Sequence, residues 1–221
     1  MNDYEKPDFY SKKAVKEGYV ARSIFKLEEL DAKFKLFKRG MKVLDLGSAP
    51  GSWSQYVSKK IGEKGLLVGI DYKDIKVSMI NAEFIRGNFL EADIQMELSH
   101  HAPFDAIISD MAPDTTGDNV TDCYKSSELV CSALRFSYDF LKKGGFFIAK
   151  IFQGGDEKEI MKEMQSAFTE TRWFKPKSSR SISFEIFMLG AGFIKKPEIK
   201  NKESKDLDAL NNSLLTGEMP W

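Results

Sequence analysis

Two cysteines and two histidines are all that the 221 residues contain of the side chains most used for disulfides and transition metals. Cys123 and Cys131 fall within one helical pattern, too few for a disulfide framework and without ligand spacing, so both read as packing residues. His100 and His101 are neighbours that point in different directions, with no Cys or third His beside them, so no metal site is expected. No apolar run approaches the roughly 18–20 residues of a membrane span. The opening MNDYEKPDFYSKK has no hydrophobic segment behind its charges and does not read as a secretory signal. A cytoplasmic protein without a membrane partner is the expectation. An excess of one charge is missing too, because 33 Lys and Arg balance 33 Asp and Glu. That balance speaks against a uniformly basic nucleic-acid binder.

What is present is the composition of an ordinary soluble domain, 42% hydrophobic and 30% charged. A chain of this size buries roughly 70% of its unfolded surface and needs no staple. The neutral sum also hides a local asymmetry. Lys12, Lys13, Lys16, Arg22 and Lys26 face one acid, Glu17, while Arg172, Lys175, Lys177 and Arg180 share their segment with none. Either cluster reads as a solvated face, and equally as a surface for a phosphate backbone approached from one side.

Apolar spacing predicts a helix within 19–37, with Ile24, Phe25, Leu27, Leu30 and Phe34 on one side. A strand at Val43–Leu46 runs into Gly47-Ser48-Ala49-Pro50-Gly51, and a helix from Ser52 turns Trp53, Tyr56, Val57 and Ile61 inward. Strands follow at Leu66–Ile70, Phe84–Arg86 and Ala106–Ser109. A helix near Asp122–Lys142 carries Leu129, Ala133, Phe136 and Phe140 inward, and Gly144-Gly145 breaks the chain before a strand at Phe146–Phe152. A helix at Glu157–Phe168 and strands near Arg172–Phe174 and Glu185–Gly190 complete the pattern. The alternation predicts an α/β fold, a Rossmann-like, doubly wound and mostly parallel sheet. Beyond Lys195 the chain is rich in Lys, Asn and Glu, with Leu207, Leu210, Leu214 and Leu215 as its apolar hint of a docked helix.

Ligands of such sheets sit beyond the carboxyl ends of the strands. Glycines in the first loop let backbone approach a ligand, and Asp71, ending the second strand, is placed to accept ribose hydroxyls. The spacing Gly47-x-x-x-Gly51, with Pro50 inside, differs from the tight G-x-G-x-x-G that holds a pyrophosphate. Lys150 interrupts the apolar run Phe146–Phe152, and a lysine inside a buried strand has a partner or a task. Asp110 ends Ile107-Ile108-Ser109, where this fold keeps its ligands. A nicotinamide-dependent oxidoreductase would need the pyrophosphate loop that is missing. A non-catalytic RNA-binding protein would keep the basic clusters, but has no use for Lys150 beside Asp110.

The segments DLGSAPGSWSQY, SDMAP, AKIFQG and KPKSSRSISFEIF, in this order, resemble the signatures of the FtsJ/RrmJ family of S-adenosylmethionine-dependent RNA 2′-O-ribose methyltransferases. YSKKAVKEGYVARSIFKLEEL resembles the helix that opens the same family's chains, and the likeness spans about residues 9–192. It implies a class I methyltransferase domain over 41–194, a basic helical extension over 1–40, and a charged tail over 195–221. It also implies that Gly47, Ser48, Ala49, Pro50 and Gly51 hold the methionine part of S-adenosyl-L-methionine. Trp53 would touch the cofactor, Asp71 its ribose, and Asn88 and Phe89 its adenine. The family usually has Asp where this chain has Asn88; an amide also accepts and donates hydrogen bonds. The implied catalytic set is Lys26, Asp110, Lys150 and Glu185, with Asp110 also beside the cofactor and Lys150 taking the proton of the hydroxyl. Burial and a neighbouring ammonium favour a neutral lysine, whereas the two carboxylates oppose it. The implied partner is RNA, in the first place a uridine of large-subunit ribosomal RNA, with the anticodon loop of transfer RNA as the alternative. A monomer is expected.

Overall fold

A computed structural model describes residues 8–75, 77–180 and 183–197. The leucines at 207–215, expected to hint at a docked helix, lie outside the described residues. In chain order the elements are α1 (Phe9–Lys16), α2 (Ile24–Phe34), β1 (Lys42–Leu46), α3 (Ser52–Ile61), β2 (Leu66–Asp71), β3 (Ala82–Arg86) and α4 (Ala92–Ser99). They continue with β4 (Phe104–Ser109), α5 (Asn119–Phe140), β5 (Leu141–Phe152), α6 (Glu157–Ala167), β6 (Phe168–Phe174) and β7 (Glu185–Phe193). The strands form one seven-stranded sheet ordered β3-β2-β1-β4-β5-β7-β6. All neighbours from β3 to β5 are parallel, whereas β7 runs antiparallel to both β5 and β6. Among the described residues no helix is long and apolar enough to cross a membrane.

Alternation along the strands divides the core in two. Leu44, Leu46, Ile107, Phe147 and Ala149 pack under α4, α5 and α6, while Val43, Leu67, Ile108, Ile148 and Phe187 pack under α2 and α3. The side chains pointing to opposite faces at a period of two dictate this split. Leu27 and Leu30 of α2 are fully buried, and each such leucine contributes about 1.5–3 kcal/mol relative to exposure. Both cysteines are free; Cys123 is buried and its thiol donates to the Gln153 carbonyl at 3.1 Å.

Several elements depart from the sequence expectations. The segment expected to hold one helix before Gly40 forms α2 alone, preceded by α1 and a turn through Gly18 at φ 76°. Helix α4 was not expected, because only Ile94 and Leu98 mark its buried side. Helix α5 ends at Phe140, since Leu141 is already extended and pairs with Phe104. Gly144-Gly145 therefore falls inside β5, opposite a register shift between Phe104 and Ala106, and does not separate helix from strand. Leu129 of α5 is half-buried, not part of the core.

One buried carboxylate fixes how the N-terminal helices sit on the sheet. Asp31, near the end of α2, accepts the Leu36 and Phe37 amides at 2.9 and 3.1 Å and the Tyr56 hydroxyl at 2.8 Å. Lys60 of α3 lies 3.1 Å from Oδ2, the oxygen that also accepts the Tyr56 hydroxyl. Burial pushes the Asp31 carboxyl up, but these donors outweigh it and hold the group below its ordinary value. Such a group stabilises the fold above the ordinary carboxylate range, and the contribution is lost as pH falls through its lowered value. Asp31→Asn should therefore cost about 1.5–3 kcal/mol near pH 7 in urea denaturation. The deficit should shrink as pH falls from the ordinary Asp value of 3.8 through the lowered one, where wild type loses the same charge; a deficit unchanged by acid would contradict this role.

Candidate active site

The strand order reverses between β1 and β4, and a cavity of about 920 Å³ opens beyond the carboxyl ends of these strands. Gly47, Ala49 and Pro50 line it from the loop after β1, Asp71 to Asp74 from the end of β2, and Gly87 to Leu90 from the end of β3. Asp110, Met111, Ala112 and Asp114 follow β4, and Val20, Leu129 and Ser132 close the rest. The loop is tied to β2 by the Gly47 and Ser48 amides, which donate to the Ile70 carbonyl at 2.9 and 3.1 Å. Asp71 accepts the Ala49 amide at 2.9 Å and the Lys73 amide at 2.8 Å, so it shapes the cavity as well as lining it. A Cβ on Gly47 would sit 2.2 Å from Met111 Cγ, at a φ of 75°. Only glycine lets the loops after β1 and β4 meet this closely. Asn88 lines the cavity while its Oδ1 accepts the Leu90 amide at 3.0 Å. Phe89 also lines it and is backed by the edge of Phe136.

Three of the expected cofactor residues are not in the cavity wall. Ser48 is buried beneath the loop. Gly51 is the N-cap residue before α3, at φ 112°, with Val77 Cγ2 2.5 Å from where its Cβ would be. Trp53 packs its ring 5.6 Å from Phe187 and donates its Nε1–H to the Ser23 carbonyl at 3.0 Å, joining α3 to the start of α2. The sequence reading passed over Met111, Tyr72, Asp114 and Val20. Their signal was available only as adjacency to the SDMAP segment and to Asp71, and for Val20 there was none.

Beside the cavity the four expected catalytic residues come together from four elements. Lys150 reaches from β5 to the end of β4, where Nζ donates to the Asp110 carbonyl at 2.6 Å and lies 2.9 Å from Oδ1 of the same residue. Lys26 of α2 pairs with Glu185, the first residue of β7, at 2.5 Å. All four side chains are between 9 and 16% exposed. Burial pushes the Glu185 carboxyl up, yet attraction to Lys26, and further to Lys150, holds it below the ordinary range. Glu185 thus feels both lysines, and the two pairs act as one field of alternating charge.

The two basic clusters also meet. Arg22 donates to the Ser178 carbonyl, and Asp8, the N-cap of α1, pairs with both Arg22 and Arg180. Burial, then the charge of Arg180, lowers the Arg22 guanidinium from its ordinary value.

A parallel sheet with this switch-point cavity and an antiparallel β7 between β5 and β6 has the architecture of class I methyltransferases. A solved Plasmodium falciparum protein described as a ribosomal RNA methyltransferase superposes with a TM-score of 0.70 at 28% identity, over 80% of this chain and all of that one. Residues 19–193 match the model of the FtsJ-like methyltransferases. Ribosomal RNA large subunit methyltransferase E of Bdellovibrio bacteriovorus is 46% identical over 190 residues, 85% of this chain and 97% of that protein. The protein of the same name from Oleidesulfovibrio alaskensis is 45% identical over 202 residues, covering 90% and 98%. The chain belongs to the FtsJ-like methyltransferase family.

Below the cavity loop, Asp45 of β1 is 1% exposed and accepts the Ser54 hydroxyl at 2.6 Å. Burial pushes its carboxyl up to about 7; the charges of Asp110 and Asp71 add to this, and the Ser54 hydrogen bond opposes it. Between the ordinary Asp value of 3.8 and about 7 the folded state retains a proton that the unfolded state releases. Stability should decline as pH rises through that window and level off above it. Asp45→Asn should flatten the decline in denaturation curves taken across it; an unchanged slope would contradict the assignment.

Proposed function

We propose that this methyltransferase moves a methyl group from S-adenosyl-L-methionine to a ribose 2′-hydroxyl of RNA, and that its substrate is a uridine of large-subunit ribosomal RNA. The observation that carries the reading is the joining of Lys150 with Asp110 and Lys26 with Glu185 at the edge of the switch-point cavity. The names of the relatives, ribosomal RNA large subunit methyltransferase E, support the choice of RNA. The reading includes a monomer working in the cytoplasm, with residues 41–194 as catalytic domain and the segment before them as a basic RNA-facing extension.

The cavity suits the cofactor in size and charge. Its volume of about 920 Å³ falls within the roughly 300–1,000 Å³ of small-molecule sites. Among the described residues Asp71, Asp74, Asp110 and Asp114 outnumber the cation Lys73 on its wall, which suits a sulfonium and an amino group. Ala49, Pro50 and Gly47 would face the methionine part, Asp71 the ribose, and Asn88 and Phe89 the adenine. Ser48, Gly51 and Trp53 would act from behind, by holding the loop and the start of α3.

The cofactor supplies a methyl group already activated by its bond to a sulfonium. The protein must therefore align the hydroxyl and accept its proton. Alignment of this kind is worth about 7–11 kcal/mol. Asp110 holds Lys150 Nζ from two directions, and the remaining direction is left to face the ribose oxygen and take its proton when the amine is unprotonated. Glu185 and Lys26 keep that amine in a field of balanced charge. Phosphates would lie against the joined clusters of Arg22, Lys26, Lys177 and Arg180.

Lys150→Ala should lower methyl transfer by about a hundredfold or more, because a positioned acid–base group contributes roughly 10²–10⁴. Cofactor affinity by equilibrium dialysis should stay nearly unchanged, since Lys150 is not part of the cavity wall. Transfer persisting within a few fold would sink the assigned role.

A further inference from the structure

An acid stands in the middle of the basic surface with no role in the chemistry above. Glu29 of α2 lies one helical turn beyond Lys26, and its carboxylate grips the backbone of the second basic cluster. Oε2 accepts the Lys177 amide at 2.7 Å and Oε1 accepts the Ser178 amide at 2.8 Å, across 148 and 149 residues of sequence. From just before α2, Arg22 donates to the Ser178 carbonyl. Both polar groups of the Ser178 backbone are thus held by side chains on either flank of Lys26. The segment joins β6 to β7, and β7 begins with Glu185, the partner of Lys26. Glu29 and Lys177 also share an open groove of about 610 Å³, whose other charged lining residues are Lys13, Lys33 and Glu28.

We propose that Glu29 is a positioning residue for the RNA substrate: it fixes the backbone at Lys177–Ser178 so that the cations of this segment stand beside the Lys26–Glu185 pair. The proposal rests on the RNA reading given above. Carboxylate oxygens that accept backbone N–H groups form strong, charge-assisted hydrogen bonds, and here they pin a segment that is otherwise irregular. With both oxygens turned to amides, Glu29 presents little negative potential to a phosphate. If Glu29 were only a surface charge, its removal would relieve repulsion and tighten RNA binding. A clamp demands the opposite sign, because loosening the segment disperses the cations.

The test uses the full chain with Glu29→Gln and Glu29→Ala, ribosomal RNA as substrate, and wild type alongside. Gln keeps the shape but has one accepting oxygen for two amides. Both variants should raise KM for RNA by about tenfold, and kcat should stay within about threefold. Melting temperature should fall by only a few degrees, because the lost bonds lie within the chain, and cofactor affinity should match wild type. RNA affinity equal to or tighter than wild type in both variants would overturn the clamp. So would a parallel fall in melting temperature and cofactor affinity, which would make Glu29 a residue of the fold alone. Wild type that turns over no RNA would overturn the functional reading and the clamp together, whereas active wild type with unaffected variants would overturn the clamp only.

Discussion

Lys150 stands buried in the middle of a hydrophobic strand, flanked by the fully buried Ala149 and Ile151. An ammonium in that position costs several kcal/mol unless it is paired and hydrogen-bonded. Asp110 meets the requirement with its carbonyl and its carboxylate, and much of the site follows from that contact. The end of β4 must lie level with Lys150, which the parallel register of Ser109 with Ala149 provides. The loop after β4 must then turn at once across the loop after β1, and Gly47 leaves the space for Met111 to do so. The carboxylate that holds the lysine thereby also becomes part of the cavity wall.

The antiparallel β7 supplies the second constraint. By running back between β5 and β6, it sets Glu185 opposite Phe152, at the same end of the sheet as Lys150. A parallel strand there would put its first residue at the far end. Helix α2 lies over that end, held by the buried Leu27 and Leu30, by Asp31 beneath it, and by the Trp53 hydrogen bond to Ser23. Lys26 is delivered to Glu185 by this packing. The meeting of these four charges is thus a product of sheet topology, and the N-terminal helices are integral to it.

The sheet and the cavity loop were legible because their signals are local. Apolar runs of strand length, a glycine loop and an acid at the next strand end are periodic or contiguous features. Helix α4 carries only Ile94 and Leu98 on its buried side and gives no such signal. Gly144-Gly145 reads as punctuation, yet the pairing of Leu141 with Phe104 carries the strand past it, and tertiary pairing overrode the local cue. Lys26, Asp110, Lys150 and Glu185 were proposed through a resemblance, and their assembly into two ion pairs could not have been read from spacing. Trp53, expected to touch the cofactor, packs α3 against Phe187 and satisfies its N–H on the Ser23 carbonyl, contacts that its place in the sequence does not announce. Asp8, Arg22 and Glu29 act on backbone or charges more than a hundred residues away, contacts that no local pattern encodes.

The claim on which the functional reading stands is methyl transfer to a ribose hydroxyl of ribosomal RNA. It is tested most directly by incubating the protein with methyl-labelled S-adenosylmethionine and total RNA from a strain lacking the gene, then mapping the labelled nucleotide. The reading predicts a single 2′-O-methyl uridine in large-subunit ribosomal RNA. Label confined to transfer RNA, or no label in ribosomes, free ribosomal RNA or transfer RNA, would contradict it.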